Sequence, residues 1–466
     1  MSVTPDQQTK PRLMADRSFW GLNLTQFFGA FNDNLFKQLV MLLCVDRAGA
    51  TGQDLQGLGM ILFAWPFIAF SGFAGYLSDR YSKRTIINLC KGAEILIVAL
   101  GLVGFATGNL NALLGVLCLM GVHSAFFGPS KFGILPELLD RGELPRANGT
   151  MLMSTFLAII FGLSAAGAAK HYFGGNLWMA SLPCLIVAVV GLGTSFLIRP
   201  TPIAQPQLTF EWSSLAIAPD TRRLLWKDRS LLGVLLMSSV FWFVAGTVYP
   251  STINTFAKDQ LHLNDLATGA MAASTGLGIA VGCVLAGILS KNRVRRWIVK
   301  TGAWGLTLSM VALCLPGPGF QEMRNEIRLT KERKAAAQTS ETSEIASDKP
   351  KVAPSTDFRH GSLLGPYGSV VALISVGFFA GFFSVPLQVY LQTAAPVDQK
   401  GRIIGAWNLL NWIGIAGSGI VYSLGRMLLV NWLELPHATI FGFAAALMLP
   451  VALFYRPPET QASAPA

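Results

Sequence analysis

The sequence predicts an all-α membrane protein with twelve transmembrane helices in two six-helix halves and with both termini in the cytoplasm. Composition, the spacing of apolar runs and the placement of basic residues all point to this fold class. Hydrophobic residues make up 52% of the 466 positions and charged residues 13%, whereas a soluble domain carries about 25% charged residues. Most of the chain must therefore face lipid or other apolar helices. The formal net charge of +11 does not indicate a nucleic-acid partner, because the basic residues are spread over alternate loops.

Twelve apolar runs are long enough to cross a bilayer, which takes about 20 residues in a helix. Helices are the only reasonable form for such runs, since an open strand edge in lipid would leave backbone groups unpaired. The predicted spans are 18–45, 55–78, 85–107, 110–131, 147–170, 176–198, 231–257, 266–290, 297–316, 365–391, 402–426 and 436–456.

The basic residues set the orientation of the spans. With the N-terminus inside, the cytoplasmic segments hold 22 of the 36 Lys and Arg residues, and twelve fall outside. Eight of those twelve belong to the long segment 317–364, and long loops follow the positive-inside rule poorly. Both termini are therefore predicted to be cytoplasmic.

An internal repeat divides the spans into two halves. The ten residues from Gly75 return 212 positions later from Gly287, and the motif around Arg146 returns 256 positions later around Arg402. The difference of 44 is close to the length of segment 317–364. The chain therefore consists of two six-span halves in the same orientation, with an insertion in the second half.

This repeat predicts the organisation of the whole chain. The linker mixes apolar and basic residues, which suits a segment lying partly on the membrane surface. The insertion is either a solvated excursion or a docking arm for a partner. The predicted parts are a cytoplasmic tail 1–17, an N-terminal half 18–198, a cytoplasmic linker 199–230, a C-terminal half 231–456 with a periplasmic insertion 317–364, and a cytoplasmic tail 457–466.

The loop after the second span has the features of a gate. Glycine lets helices approach closely, and Asp79 can meet a helix N-terminus, where the helix dipole favours an anion. Arg80 and Arg84 can pair with acids such as Glu137. A loop that only orients the chain would explain the basic residues but not Asp79. The predicted gating residues are Gly75, Asp79, Arg80, Arg84, Glu137, Arg146 and Arg402.

Several charged residues lie at membrane depth, where each is a functional hypothesis by default. Asp33 lies near the middle of the first span, with Lys37 one turn later, so the two could also simply pair with each other. Lys131 lies at the inner end of the fourth span and is either a ligand or a lysine snorkelling to the interface. The predicted substrate-binding residues are Asp33, Asn34, Asn32, Lys37, Lys131 and Gln392.

The repeat shows that these charges belong to one half only. In the second half, Ala245, Tyr249 and Leu387 take the places of Asp33, Lys37 and Lys131. A cavity with one charged and one apolar wall suits an amphiphile with a zwitterionic or anionic headgroup. A sugar carrier would have polar side chains on both walls.

Three segments in both halves resemble a known family. They are Ala30 to Asn34 in the first span, Gly128 to Leu138 after the fourth, and Gly381 to Leu387 in the tenth. These segments resemble the lysophospholipid transporter (LplT) branch of the major facilitator superfamily. The loop Gly75 to Arg84 also resembles the signature G-x-L-[AS]-D-R-x-[GS]-[KR]-[KR] of that superfamily.

The resemblance implies a flippase in the bacterial inner membrane. Such a protein moves lysophospholipids, for example lysophosphatidylethanolamine, from the outer to the inner leaflet for reacylation by alternating access. Asp33 and Lys131 would lie in or beside the headgroup path, and a separate cytoplasmic acyltransferase is a partner that the resemblance allows. The seventh span departs from enterobacterial members, because Gly246 to Tyr249 contains no arginine. The long insertion is a second departure.

The sequence indicates a transporter and not an enzyme. It contains no H-E-x-x-H, G-x-S-x-G or P-loop motif, so no catalytic residue, cofactor, metal site or nucleic-acid partner is expected. The expected partners are the lysophospholipid and the surrounding membrane lipids, and the expected state is a monomer. Two alternatives stay open: an ion-coupled major facilitator exporter of hydrophobic drugs, with Asp33 carrying a proton, and a non-transporting sensor on the same scaffold.

Overall fold

The computed structural model describes residues 13–51, 55–173, 176–290, 294–322, 324–325, 328–329 and 361–459. Within these ranges the regular structure is helical, and strand-like pairing is limited to one isolated bridge between Pro316 and Ser362. Most of the predicted insertion and the outer parts of both predicted tails lie outside the described residues.

Twelve helices of 16 residues or more are found in the described part of the chain. They are labelled here in chain order, and shorter helical turns are left unlabelled. The twelve are α1 (Arg17–Thr51), α2 (Gln56–Arg80), α3 (Lys83–Ala106), α4 (Leu110–Gly133), α5 (Leu144–Phe173), α6 (Leu177–Ser195), α7 (Arg229–Thr247), α8 (Asp265–Leu289), α9 (Arg296–Cys314), α10 (Gly365–Ala394), α11 (Lys400–Gly425) and α12 (Thr439–Phe454).

Length and composition make most of these helices fit to cross a membrane. Ten helical segments in the described residues, corresponding to α2 through α11, are long and apolar enough to do so. α12 is apolar but shorter. Each of the twelve predicted spans coincides with one of the twelve helices, with shifts of a few residues at the ends. Such shifts are expected because apolar runs do not mark helix ends sharply.

The prediction of a continuous seventh span over 231–257 is wrong in its last part. α7 ends at Thr247, and Tyr249 has extended backbone angles (φ −114°, ψ 133°). Pro250 follows Tyr249, and a proline disfavours helical angles in the residue before it and has no N–H of its own to donate. A short helix, Ile253–Thr255, continues beyond the break.

The two halves share one packing scheme. In the N-terminal half α1 packs on α5 and α6, α3 packs on α4 and α6, and α2 packs on α4. The equivalent pairs α7 with α11 and α12, α9 with α10 and α12, and α8 with α10 are in contact in the C-terminal half. The repeat seen in the sequence is therefore a repeat of structure.

The halves meet along two equivalent seams. One is formed by α2 and α11, and the other by α8 and α5. Close contacts across the seams include Phe67 stacked on Trp412, with ring centroids 4.0 Å apart, and the hydrogen bond from Asn408 to Ser71 at 2.8 Å. Both contacts belong to the α2–α11 seam. The first lies at the middle of both helices, and the second lies nearer the end at which α2 finishes and α11 begins. This seam is therefore closed from the middle of the helices toward that end.

The linker between the halves packs on one seam. The backbone N–H of Gln205 donates to the carbonyl of Asp79 at 2.9 Å, and the Phe210 ring lies 5.7 Å from that of Tyr76. The short helix Pro219–Lys227 follows. The linker is thus attached to the end of α2, and its surface placement on the membrane remains a prediction.

Candidate functional site

A cluster of ionisable side chains lies inside the N-terminal half. Glu94 on α3 forms an ion pair with Lys91, one turn earlier on the same helix, and accepts a hydrogen bond from Asn32 of α1 at 2.8 Å. His123 of α4 places Nε2 3.6 Å from the Glu94 carboxylate. These four residues, here called the charged cluster, are all buried. The Lys91–Glu94 pair lies within α3, and the contacts of Glu94 with Asn32 and His123 join α3 to α1 and α4.

Asp33 lies beside the charged cluster but is bonded differently. Its Oδ2 accepts a hydrogen bond from Ser124 at 2.8 Å, whereas its Oδ1 is buried and has no hydrogen-bond partner. Lys37 lies 4.9 Å from the Phe63 ring centroid. Within the described residues no ion pair joins Asp33 to Lys37, so mutual pairing does not account for the two charges. The carboxylate keeps one acceptor oxygen for a ligand.

Lys131 points between helices and not toward the helix end. Its ammonium donates to Gln26 of α1 at 3.0 Å and lies 4.9 Å from the Phe132 ring centroid and 5.4 Å from that of Phe127. Gln26 in turn donates to Thr155 of α5 at 3.1 Å. This geometry disfavours a snorkelling role. It gives a cation surrounded by aromatic faces, an arrangement that stabilises positive charge.

We expect Glu94→Gln to destabilise the protein, because it leaves the buried Lys91 without its counter-charge. Breaking one partner of a buried ion pair costs about 3–5 kcal/mol, so the thermal midpoint in detergent should fall. The double variant Lys91→Met with Glu94→Gln removes both charges and should recover most of that loss. A double variant no more stable than Glu94→Gln would show that the pair is not the source of the effect.

The predicted gating glycine Gly75 lies where two helices touch. A Cβ added at Gly75 of α2 would lie 2.7 Å from the Gly401 carbonyl oxygen and 3.2 Å from Cα of Gly405 on α11. On the other seam, a Cβ added at Gly287 of α8 would lie 2.7 Å from the carbonyl oxygen of Pro145. These glycines are repeat equivalents, so backbone contact closes both seams in the same way.

Asp79 joins the halves at the first seam. Its carboxylate accepts hydrogen bonds from the backbone N–H groups of Gly401 at 2.6 Å and Arg402 at 3.0 Å. These groups lie at the N-terminus of α11, so the predicted contact with a helix N-terminus is present. The Arg402 guanidinium lies 3.2 Å from Asp79 and also binds Asp220 and Gln205 of the linker. Four charged or polar side chains thus hold this seam.

The predicted pairing of Glu137 with Arg80 or Arg84 is wrong. Glu137 instead forms an ion pair with Lys83 at 2.6 Å. Lys83 is the first residue of α3 and is fully buried, so its chain runs inward to the short helix that carries Glu137. Arg80 lies 5.9 Å from the Tyr81 ring centroid. The Lys83–Glu137 ion pair stays within the N-terminal half and does not join the halves.

Gln392 lies in the contact between the halves and not beside Asp33. Its amide donates to Asn148 of α5 at 3.1 Å and to the carbonyl of Phe132 at 3.2 Å, and it is almost fully buried. Arg146 is exposed, and only its backbone approaches Gly287. The structure therefore brings Gln392 to the gate.

The asparagines beside Asp33 differ in their surroundings. Asn32 is fully buried and donates a hydrogen bond to Glu94. The Asn34 amide donates instead to the carbonyl of Ala30 in its own helix at 2.8 Å. Of the predicted binding residues, Asp33, Asn34, Lys37 and Lys131 are partly exposed. Leu387, which takes the place of Lys131 in the second half, is buried.

Comparison with known proteins places the chain in a family. The sequence profile of the Major Facilitator Superfamily matches residues 22–323. Lysophospholipid transporter LplT of Pectobacterium carotovorum subsp. carotovorum (strain PC1) is 30% identical over 301 residues, which cover 62% of this chain and 69% of that protein. LplT of Cronobacter sakazakii (strain ATCC BAA-894) is 26% identical over 452 residues, 96% of this chain and 94% of that protein. The chain belongs to the LplT family of the major facilitator superfamily.

Solved structures of other major facilitator proteins have the same fold. The human organic anion transporter MFSD10 (TETRAN) superposes with a TM-score of 0.66 at 15% identity, covering 94% of this chain and 98% of that one. The major facilitator transporter FucP in its outward conformation gives a TM-score of 0.66 at 13% identity, with the same coverage. These structures support the two-half architecture.

The predicted site omits several residues of this major facilitator protein that the structure brings into it. His123 belongs to the charged cluster, and Ser124 donates a hydrogen bond to Asp33. Contacts near the predicted gate involve Lys83, Asn148 and Asp220. His123 could have been found, since a histidine within a predicted span is an ionisable group at membrane depth. Asp220 gave no signal, because a linker acid is ordinarily solvated.

Proposed function

We propose that the protein is a lysophospholipid flippase of the bacterial inner membrane. By alternating access it moves lysophospholipids from the outer to the inner leaflet. In the inner leaflet a separate cytoplasmic acyltransferase can act on them. The observation that carries this proposal is the buried Oδ1 of Asp33, which has no hydrogen-bond partner. The equivalent residue in the second half, Ala245, is apolar. The relatives named as lysophospholipid transporters support it.

Asp33 and Lys131 provide two poles for a headgroup. A lysophosphatidylethanolamine carries an ammonium, which the free oxygen of Asp33 can accept, and a phosphodiester, which suits a lysine ammonium. Asn32, Asn34 and Lys37 lie on the same helix as Asp33 and add polarity to this wall. The second half is apolar at the equivalent positions, which suits the single acyl chain.

The same proposal includes the membrane topology. All twelve long helices cross the membrane, and both termini are cytoplasmic by the positive-inside rule. The end at which α2 finishes and α11 begins is then the cytoplasmic end. Because the seams close that end, the described conformation is closed toward the cytoplasm. Gly75, Asp79 and Arg402 hold this closed gate. Arg80, Arg84 and Arg146 lie around it, with Arg146 exposed and the other two partly buried.

We expect Asp79→Asn to slow the transport cycle by about tenfold without changing which lysolipid is preferred. The amide keeps the shape of the side chain but loses the charge-assisted bonds to the N-terminus of α11 and to Arg402, which are worth about 1.5–3 kcal/mol. Initial rates for lysophosphatidylethanolamine and lysophosphatidylglycerol in proteoliposomes measure both quantities.

Asp228→Asn is the matched control for that variant. Asp228 accepts bonds from the N–H groups of Ser230 and Leu231, both at 3.0 Å, at the start of α7. It therefore caps a helix within one half, and its loss should leave the cycling rate nearly unchanged. A changed lipid preference in Asp79→Asn would contradict a gating role.

Reconstitution into proteoliposomes tests the proposed function. Lysophosphatidylethanolamine with a labelled headgroup is placed in the outer leaflet, and its protection from an external quencher is followed over time. Protein-dependent protection is the expected result, and its absence would remove the flippase proposal. Movement of hydrophobic drugs but not lysolipid would favour the ion-coupled exporter. Movement of any amphiphile would exclude a sensor that transports nothing.

A further inference from the structure

His123 is a buried titratable residue that the headgroup poles do not use. Its side chain is 7% exposed. Nε2 faces the Glu94 carboxylate at 3.6 Å, while Nδ1 is buried and has no hydrogen-bond partner. The next residue, Ser124, donates to Asp33. His123 is therefore the chain neighbour of the residue that binds Asp33, and α4 fixes its position relative to the proposed headgroup site.

The charged groups around His123 come from three helices. α1 contributes Asp33, with Lys37 one turn further along, and α3 contributes Lys91 and Glu94. On α4 itself the nearest charged residue is Lys131, two turns further along. Asp33 lies within range of the charges of His123, Glu94 and Lys91. The other helices packed on α4 are α2 and α11, whose charged residues stand only at their ends. The proton occupancy of His123 is thus felt mainly by Asp33 and Glu94.

The ligand that fits this position is a proton. Both oxygens of Glu94 already accept hydrogen bonds, one from Asn32 and one from Lys91, so neither is free for a metal ion. Nε2 carries hydrogen toward Glu94 in either state of the ring, because a lone pair there would face a carboxylate. The variable proton is therefore the one on Nδ1, which has room for it and no competing partner.

We propose that His123 is a proton-binding site whose proton is exchanged for the ammonium of a bound lysophospholipid headgroup. A protonated imidazole next to Asp33 opposes a second cation there, so the two compete. This inference rests on the proposed function and extends it to the energetics of the cycle. Lipids without an ammonium do not compete in this way.

At the Asp33 end of the site, the ammonium replaces the charge of the released proton. The proton leaves Nδ1 of His123 for water, and the ammonium arrives at Oδ1 of Asp33. No covalent bond between heavy atoms forms or breaks. The phosphodiester of the same zwitterionic lipid adds a negative charge, so the net charge of the whole site falls by one, while Lys131 gives that phosphodiester an opposite charge in the low-dielectric interior. Lysophosphatidylglycerol brings no ammonium and cannot release the proton by this route.

Proton release on binding tests the inference directly. Purified full-length protein in a weakly buffered detergent solution is titrated with lysophosphatidylethanolamine while a pH indicator is monitored. We expect release approaching about one proton per lipid bound at a pH where His123 is protonated, and none with lysophosphatidylglycerol. The affinity for lysophosphatidylethanolamine should rise with pH by up to about tenfold per unit over the range in which His123 titrates.

The variant His123→Gln should bind both lipids without proton release and without that pH dependence. His171→Gln is the matched control, since His171 is exposed near the end of α5 and should behave as the unmodified protein. Binding of lysophosphatidylethanolamine with no proton release, or with release that persists in His123→Gln, overturns the inference and leaves the proposed function standing. If neither lipid binds the unmodified protein, the proposed function is overturned as well.

Discussion

Asp33→Asn is expected to reduce lysophosphatidylethanolamine transport by at least about thirtyfold. The amide can still accept the Ser124 hydrogen bond, so the local structure should persist, but the negative charge for the ammonium is lost. Removing one partner of a buried charge pair costs about 2–5 kcal/mol, and about 2 kcal/mol corresponds to a thirtyfold change. Initial transport rates in proteoliposomes, normalised to the amount of reconstituted protein, measure the effect.

Ser124→Ala is the control for this variant. It removes the hydrogen bond to Asp33 but keeps the carboxylate charge, so transport should fall by less than about tenfold. Equal losses in the two variants would mean that the position of the side chain matters and not its charge. Normal transport by Asp33→Asn would remove Asp33 from the headgroup path.

Gly75→Val should block transport by preventing closure of the gate. An added Cβ at this position meets the Gly401 carbonyl oxygen at 2.7 Å and Cα of Arg402 at 3.0 Å. These are backbone atoms, which cannot move aside without separating α2 from α11. We expect the rate to fall at least tenfold. A cysteine introduced at Asn408, a partly buried position bonded to Ser71 in the closed gate, should also become more reactive toward thiol reagents.

Gly233→Val provides the comparison, because a Cβ added at Gly233 of α7 meets nothing within 4 Å. It introduces the same side chain into a helix of the same protein without touching a seam. Transport and labelling of the Asn408 cysteine should both be unchanged. Gly75→Val that transports normally would show that the seam can close without this close approach.

The helices and the repeat could be predicted because lipid imposes them. A helix that crosses a bilayer must be long and apolar, and that requirement is visible in any sequence. The starts of α1 and α7, Arg17 and Arg229, are 212 residues apart, and those of α5 and α11, Leu144 and Lys400, are 256 apart. These are the two offsets of the sequence repeat. The break at Tyr249 was missed because run length was given more weight than the proline after it.

The side-chain partners could not be predicted to the same degree. Asp79 could, since its position before a break in the helix leaves it free to bind a helix N-terminus. Glu137 could not, because whether Lys83 or Arg84 reaches it depends on how α3 is rotated about its own axis. Asp220 reaches Arg402 only because the linker returns across the end of α2, which periodicity does not encode. His123 is visible as an ionisable residue within a span, but the acid that it meets depends on how α3 packs against α4.

The two glycine seams have a consequence for how the halves can move relative to each other. Gly75 with Gly405, and Gly287 with Gly149, are related by the repeat and lie on opposite sides of the bundle. A rotation of one rigid half about an axis that passes between the two lines loosens or tightens both at once. The charges of Asp79, Arg402 and Asp220 secure only one line. Substitutions on either glycine line should therefore alter the same motion. Substitutions of the three charged residues should shift the balance between the closed and open gate only through the contact of α2 with α11.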